Sequence, residues 1–418
     1  MTKLDQIRAA ESRLMLQTYD RFPVLFVGGE GVYIIEENGD RYLDLLSGIG
    51  VNALGYNHPV IQDAIASQSR KLIHTSNLYY HEGQAELALR LTERTGLDRC
   101  FFANTGTEAW EGALKLARAH AGVLRSEGKQ IGTKFLALDQ SFHGRTFGAM
   151  STTHKAKYRE PFGPVVPGVE FVRFNDVADL RAKFSNEVCA ILLEAIQGEG
   201  GIRPLTQEFF AEARALASST GALLLVDEIQ SGMGRTGKWC AYQHYGIQPD
   251  VTTLAKPLAG GLPLGAMLCT EEVSRAIHAG MHGTTFGGGA LSCAVAIAVV
   301  DYMEKENLLA HATEVGDYFQ ARLRSLAKRH DAIVDVRGKG LMVAAEVDSA
   351  DLGKLLVTEM MKRHILINCT SDTVLRFLPP YILEREHVDA AIAALDEIFT
   401  EHAASHTAAS SAGGHQSV

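Results

Sequence analysis

The sequence predicts an α/β protein: one large domain built on a mostly parallel sheet covered by helices, plus a smaller α+β domain assembled from both chain ends. Three observations predict it. Between about residues 60 and 305, short runs that are apolar throughout ("KFLALD", "VEFVRF", "AILLEAI", "ALLLVDEI", "DVTTLA") alternate with stretches of helical spacing. Strands lacking polar alternation are buried on both faces, as in parallel sheets. After a long helical region, "IVDVRGKGLMVAAEV" and "ILINCTSDTVLRFLP" read instead as antiparallel strands. Near the N-terminus, "GVYIIEENGDRYLDL" sets Asn38-Gly39 between two apolar runs, which predicts a hairpin closed by a type I′ turn.

Along the chain this gives an N-terminal part of the small domain (1–60), the large domain (61–305), the C-terminal part of the small domain (306–403) and a structureless tail (404–418) of small and polar residues. There is no internal repeat. The 418 residues are 46% hydrophobic and 21% charged with a net charge of −9, which gives no support to a nucleic-acid partner. Cys100, Cys189, Cys240, Cys269, Cys293 and Cys369 are scattered, without a Cys-x-x-Cys or Cys/His cluster, which argues against structural zinc and a disulfide scaffold. The start, "MTKLDQIRAAESRL", has no apolar signal region. The longest apolar run, "ALSCAVAIAVV", is well short of the roughly 20 residues of a membrane span. A soluble, cytoplasmic protein with no metal is expected.

Ligands of parallel α/β sheets gather at the carboxyl ends of the strands, so the residues after each apolar run come first. Ala222 to Val226 lead directly to Asp227, which is either a helix cap or surface charge, or a carboxylate held in low dielectric for a cationic partner. Glu194 ends a second run, with Glu199 beyond it among glycines. A strand at Cys100 to Phe102 enters Asn104-Thr105-Gly106-Thr107 and a helix. Thr105-x-x-Glu108 is a capping box, and a Gly with two hydroxyls at a helix start is equally an anion seat. "DQSFHGRTFGAM" brings Phe142, His143 and Arg145 into one turn, where Arg145 is either a surface charge or a fork for a carboxylate. Arg376 stands inside an apolar strand and requires an acid from protein or ligand. Lys256, alone among small and apolar residues in "TLAKPLAGGLPLGA", sits at a surface bend or in a pocket that needs an amine. Gly232 to Lys238 fits the G-x-x-x-x-G-K pattern of a phosphate loop, but Trp239 stands where a Ser or Thr would hold magnesium.

Together with "YLDLLSGIGVNALGYNHP", "DEIQSGMGRTG", "HGTTFGGG" and "LRFLPP", these motifs resemble the class III pyridoxal-phosphate aminotransferases of fold type I over nearly the whole chain. The resemblance implies a seven-stranded type of sheet in the large domain, and a transaminase. It implies that Lys256 carries pyridoxal 5'-phosphate and moves a proton, and that Asp227 pairs with the ring nitrogen. Phe142 would stack on the ring, Gln230 would lie near its phenolic oxygen, and Gly106 and Thr107 would hold the phosphate. Thr285 would reach the phosphate of a neighbouring subunit, so a homodimer would share its active sites, and Thr284 would touch substrate. Arg145 would hold the carboxylate distal to the reacting amine, and Arg376 the α-carboxylate of glutamate, with Glu199 neutralising Arg376 when the donor is bound. Within the class, "SGIGVNALGYNHP", "TSNLYY", "FHGRT" and "IQGEGG" are most similar to members using acetylornithine and 2-oxoglutarate, a ping-pong reaction of arginine synthesis. Rival donors are ornithine, succinylornithine, 4-aminobutyrate and a carrier-linked lysine; the rival classes are a phosphotransferase and a catalytically dead binding protein. Three departures from the family pattern stand out: Trp110 where Asn is common, "TTFGGGALS" for the commoner "STFGGNPLA", and Pro257 after the lysine.

Overall fold

Each apolar run forms a strand. The computed structural model describes residues 1–413, with side chains through residue 404. Strands β1 (Arg99–Ala103), β2 (Lys134–Leu138), β3 (Val169–Val172), β4 (Val188–Leu193), β5 (Leu223–Asp227), β6 (Val251–Leu254) and β7 (Gly265–Cys269) make a seven-stranded sheet. Its order is β1-β7-β6-β5-β4-β2-β3. Neighbours from β6 through β3 run parallel, and β7 is antiparallel to both β6 and β1. Successive side chains of a strand point to opposite faces. Accordingly Leu224 and Val226 of β5 join one apolar cluster, with Leu136, Leu138, Phe209 and Phe210. Leu223 and Leu225 join another, with Phe135, Ala137 and the Ala109, Ala113, Leu116 and Ala117 stripe of the Gly106–Ser126 helix. Both faces are thereby covered. This is why β4, β5 and β6 are buried at every position and apolar nearly throughout.

A third cluster draws on both ends of the chain, from Val32, Leu43, Leu45 and Leu54 to Phe319, Leu375, Phe377 and Phe399. Beside it the strands Phe26–Glu30, Tyr33–Glu36 and Arg41–Asp44 form a sheet that Ile365–Leu366 joins. Ile333–Lys339, Met342–Val347, Val374–Phe377 and Asn368–Thr370 form an antiparallel sheet that carries Arg376.

Two local expectations are corrected. The Asn38-Gly39 hairpin is present, but only Gly39 takes positive φ (+95°), whereas a type I′ turn needs it at both central residues. Gly39 N–H donates to the Glu36 carbonyl (2.8 Å) and Glu36 N–H to the Asp40 carbonyl (2.9 Å), giving a three-residue loop. The Glu36 carboxylate favours this wider loop by accepting the Asn38 N–H (2.8 Å). At the other end, the helix Arg385–Gly413 runs on where a structureless tail is expected from residue 404, because its alanines are strong helix formers. Residues 414–418 of that expected tail lie outside the described residues. Among the described residues no helix is long and apolar enough to cross a membrane.

Glu228, directly after β5, is fully buried. It accepts from the Tyr242 N–H (2.9 Å) and the Ser231 hydroxyl (2.7 Å). Burial pushes its carboxyl up from 4.5 to about 7. The fold thus holds this proton more tightly than the unfolded chain does. The associated stability is complete below about pH 4.5 and is lost as pH rises through about 7. Glu228→Gln, which cannot ionise, should gain thermal stability relative to the parent between about pH 5 and about pH 8.5. Melting curves followed by circular dichroism should show the difference in Tm widening by several degrees; a constant difference rejects the assignment.

Candidate active site

Because β4, β5 and β6 are adjacent and parallel, their carboxyl ends lie side by side. These ends present Glu194, Asp227 and, one residue past Ala255, Lys256. The three side chains border a cavity of ≈460 Å³ that is also lined by Gly106, Thr107, Phe142, Arg145, Glu199 and Gln230. Burial lowers the Lys256 amine to about 8; Glu199 and Asp227 oppose the shift and Arg376 adds to it. A larger hollow of ≈690 Å³ opens beyond the Glu199 loop. Its Arg337 is already paired with Asp335 (2.7 Å) and Glu346 (2.5 Å), and no buried amine lines it.

The two carboxylates at the strand ends are held differently. Asp227 accepts from His143 Nδ1 (2.7 Å) on one oxygen and from the Ile229 N–H (3.0 Å) on the other. Glu194 accepts from the Phe142 N–H (3.0 Å) and the Gly198 N–H (3.1 Å), so one side chain fixes the loops on either side of the cavity. Burial pushes its carboxyl up to about 7, with His143 pulling the other way. His143 in turn lies flat against Trp110, ring centroids 4.2 Å apart and planes 10° apart.

At the helix start, Thr105 caps the Glu108 N–H (3.3 Å). The Glu108 carboxylate takes the Asn104 N–H (2.7 Å) and not that of Thr105, so only half of the expected capping box forms. Gly106 and Thr107 stand in the first turn, where amides have no carbonyl four residues back and are free for an anion. Gly144, at φ +134°, brings the "FHGRT" turn past this point: a Cβ there would sit 2.2 Å from Thr107 Oγ1.

Arg376 is 1% exposed. It donates to Glu199 (2.5 Å), Gln230 (3.3 Å) and Asn368 (3.2 Å). Burial raises the Glu199 carboxyl, but Arg376 and Lys256 outweigh it and leave it below the ordinary value. The Glu199 carbonyl is gripped separately by the hydroxyls of Thr370 (2.8 Å) and Ser371 (3.2 Å). Arg145 is exposed at the mouth, its guanidinium 3.6 Å from the centre of the Tyr158 ring and 5.6 Å from that of Phe142. Among the described residues Arg145 has no acidic partner.

Two expected residues are not at this cavity within one chain. Thr284 Oγ1 accepts from Asn104 Nδ2 (3.0 Å), and Thr285 is exposed beside His74 to Asn77. The G-x-x-x-x-G-K run makes no phosphate loop. Only a single 3-10 turn (Ala241–His244) follows it, not an α-helix, and exposed Lys238 donates to the Gln243 carbonyl (3.0 Å). His143, Glu194 and Trp110 are visible in the sequence but receive no role at the site from it. Glu194 carried the same signal as Asp227, an acid ending an apolar run, while the 110–143 contact has no signature in spacing.

A half-buried lysine of lowered pKa beside a carboxylate at the strand ends, facing a free helix start, is an arrangement whose chemistry suits an aldehyde cofactor that carries a phosphate. Residues 15–399 match the family described as Aminotransferase class-III, and the chain belongs to it. It is therefore a pyridoxal-phosphate-dependent transaminase. The acetylornithine aminotransferase of Methanocaldococcus jannaschii is 46% identical over 392 residues, 94% of this chain and 97% of its own. Among solved structures, the ornithine aminotransferase of Toxoplasma gondii ME49 superposes with a TM-score of 0.91 at 31% identity, over 97% of each chain. The acetylornithine aminotransferase of Elizabethkingia anophelis has a TM-score of 0.84 at 29% identity, over 96% of this chain and all of that one (100%).

Removing one member of a buried ion pair leaves the other uncompensated. Glu199→Ala should therefore destabilise the protein by about 2–3 kcal/mol, and adding Arg376→Met should recover part of it. Urea unfolding of the single and double variants measures this; equal stabilities of parent and Glu199→Ala would show the pair to be neutral.

Proposed function

We propose that the protein transfers the terminal amine of N2-acetylornithine to 2-oxoglutarate, giving N-acetylglutamate 5-semialdehyde and glutamate, in two alternating half-reactions of arginine synthesis. The observation that carries this reading is the pairing state of the two cavity guanidiniums. Arg145 stands open at the mouth, while buried Arg376 is closed by Glu199. A donor with one carboxylate and a neutral acetamide needs one open seat; glutamate needs two. The choice of acetylornithine over ornithine is supported by relatives of that name that are 40–46% identical along the chain. Free ornithine is the second reading, supported by the 0.91 superposition on an ornithine aminotransferase.

The residues present fit the cofactor: an amine of lowered pKa, a carboxylate at depth and unpaired first-turn amides converge on one cavity. In this reading Lys256 carries it, Asp227 pairs with its ring nitrogen, Phe142 covers its face, and Gln230 lies near its phenolic oxygen. Gly106 and Thr107 hold its phosphate. When bound, pyridoxal phosphate supplies the electron sink for the carbon that loses its proton. Lys256, poised near 8, would take that proton from the substrate carbon and deliver it on the other side of the transferred nitrogen, at the cofactor's C4′. Arg145 fixes the far carboxylate in both halves. Arg376 stays on Glu199 for the donor and is released to the α-carboxylate of glutamate, so a buried guanidinium has an anion in either state.

A second copy completes the site. Leu78 (85% exposed), Tyr80 (104%) and Phe286 (65%) are apolar residues on two exposed loops joined by Asn77, which donates to the Thr284 and Gly287 carbonyls. An apolar surface of this kind supports a partner. In a homodimer, Thr285 of one copy serves the phosphate seat of the other, and Thr284 faces substrate. The scattered free cysteines suit a reducing cytoplasm.

Pyridoxal phosphate added to the purified protein should give a yellow complex, and borohydride should fix the cofactor at Lys256. The rate of attachment should rise with pH and level off above about 8, because the neutral amine is the nucleophile. Lys256→Ala should show no fixation; labelling of another lysine in the parent would sink the assignment. In single-turnover assays over a panel of ω-amines, acetylornithine should react fastest. Glu199→Ala should lower the ratio of acetylornithine to glutamate half-reaction rates by about tenfold or more, and an unchanged ratio would remove the switch.

A further inference from the structure

Trp110 stands where the family commonly has Asn, and it is buried one turn into the Gly106–Ser126 helix. Its indole Nε1–H donates to Thr152 Oγ1 (3.0 Å), whose own hydrogen goes to the Ala149 carbonyl (2.9 Å). Its ring plane lies on the His143 imidazole at 4.2 Å and 10°. The neighbouring Thr153 hydroxyl accepts the His143 backbone N–H (2.9 Å). His143 is therefore fixed at its backbone, on one ring face and at Nδ1, which meets Asp227 Oδ2 at 2.7 Å. Its Nε2 is buried without a partner. With a single hydrogen bond on the ring, the stacked indole is what sets the plane of the imidazole. The titratable groups facing that ring are Asp227 at the end of β5 and Glu194 at the end of β4.

We propose that Trp110 is a positioning residue of this enzyme: through His143 it fixes the orientation of Asp227, and so tunes the protonation of the cofactor's ring nitrogen. An Asn side chain has no ring face and cannot do this. The inference rests on the reading of Asp227 as the partner of that nitrogen.

The test compares Trp110→Asn and Trp110→Phe with the parent as holoenzymes. The Phe variant keeps an aromatic face and loses only the bond to Thr152. Trp110→Asn should move the midpoint of the pH titration of the bound cofactor's visible absorbance by about half a unit or more. It should also weaken cofactor retention about tenfold, while Trp110→Phe stays close to the parent. A Trp110→Asn midpoint that superimposes on the parent, with only Tm lowered, makes Trp110 a packing residue and overturns the proposal. Should Trp110→Asn not fold, emission from the cofactor-free Trp239→Phe protein, whose one remaining tryptophan is Trp110, decides. A stacked imidazole quenches indole, so adding His143→Leu should raise emission several-fold, and unchanged emission overturns the stack. Asp227→Asn separates the two readings. If it leaves the cofactor spectrum unchanged, the assignment of Asp227 itself fails. If it shifts the spectrum while Trp110→Asn does not, only the role of Trp110 fails.

Discussion

The structure depends on keeping several ionisable groups out of water along one edge of a sheet. Glu194, Asp227, Glu228 and Lys256 all stand at the carboxyl end of β4, β5 or β6 or within two residues of it, where the flanking side chains are apolar. Burying a charge without partners is costly. Each carboxyl here receives at least two hydrogen bonds, but of different kinds. Glu194 and Glu228 receive theirs from neutral amides and a hydroxyl, and burial carries both to about 7. Asp227 instead receives one from an imidazole. The environments separate three similar carboxyls into two that serve as fixed posts and one with a basic group at its back. Separation of this kind is how one edge of a fold can offer acid, base and anion together.

The second organising contact is the meeting of the two sheets across the cavity. Arg376 belongs to the antiparallel sheet near the C-terminus, while Glu199 and Gln230 follow β4 and β5 of the large sheet. The "GMGRTG" run that imitates a phosphate loop serves this same seam. Arg235 is fully buried, stacks over Tyr381 at 4.5 Å, and donates to the carbonyls of Leu341 and Pro379. Tyr381 returns a bond to the Met233 carbonyl (2.8 Å). The site is thus a joint between two packed bodies of secondary structure, as ligand sites often are.

The large sheet is legible in the sequence because burial on both faces leaves uninterrupted apolar runs, and Asp227 stands out as the acid that ends one. β7 is not legible: Gly265 to Cys269 continues a stretch of small residues around Lys256 that reads as a loop, and only its pairing with β6 and β1 makes it a strand. The hairpin at Asn38 was visible as a hairpin, but its turn type depends on a carboxylate at Glu36 reaching back to the loop. Lys256, Glu199 and Arg376 were each conspicuous as charges in apolar company; that they meet depends on tertiary packing across 177 positions between Glu199 and Arg376. Trp110 against His143 belongs to the same category. Contacts between distant segments leave no period or spacing to read, so resemblance to a family marks Trp110 as a departure but cannot show that it meets His143.

The grip of Thr370 and Ser371 on the Glu199 carbonyl has a kinetic meaning. Ser371 and Asp372 both hold positive φ (+49° and +67°), so the turn that brings those hydroxyls to Glu199 is a fixed, tightly wound one. With its main chain anchored there, Glu199 can leave Arg376 only by rotating its side chain. Rotamer hops of accessible side chains take picoseconds to nanoseconds, whereas lids and hinges take microseconds to milliseconds. In the proposed pair of half-reactions, exchanging the partner of Arg376 would then need the rotation of one side chain and no domain movement.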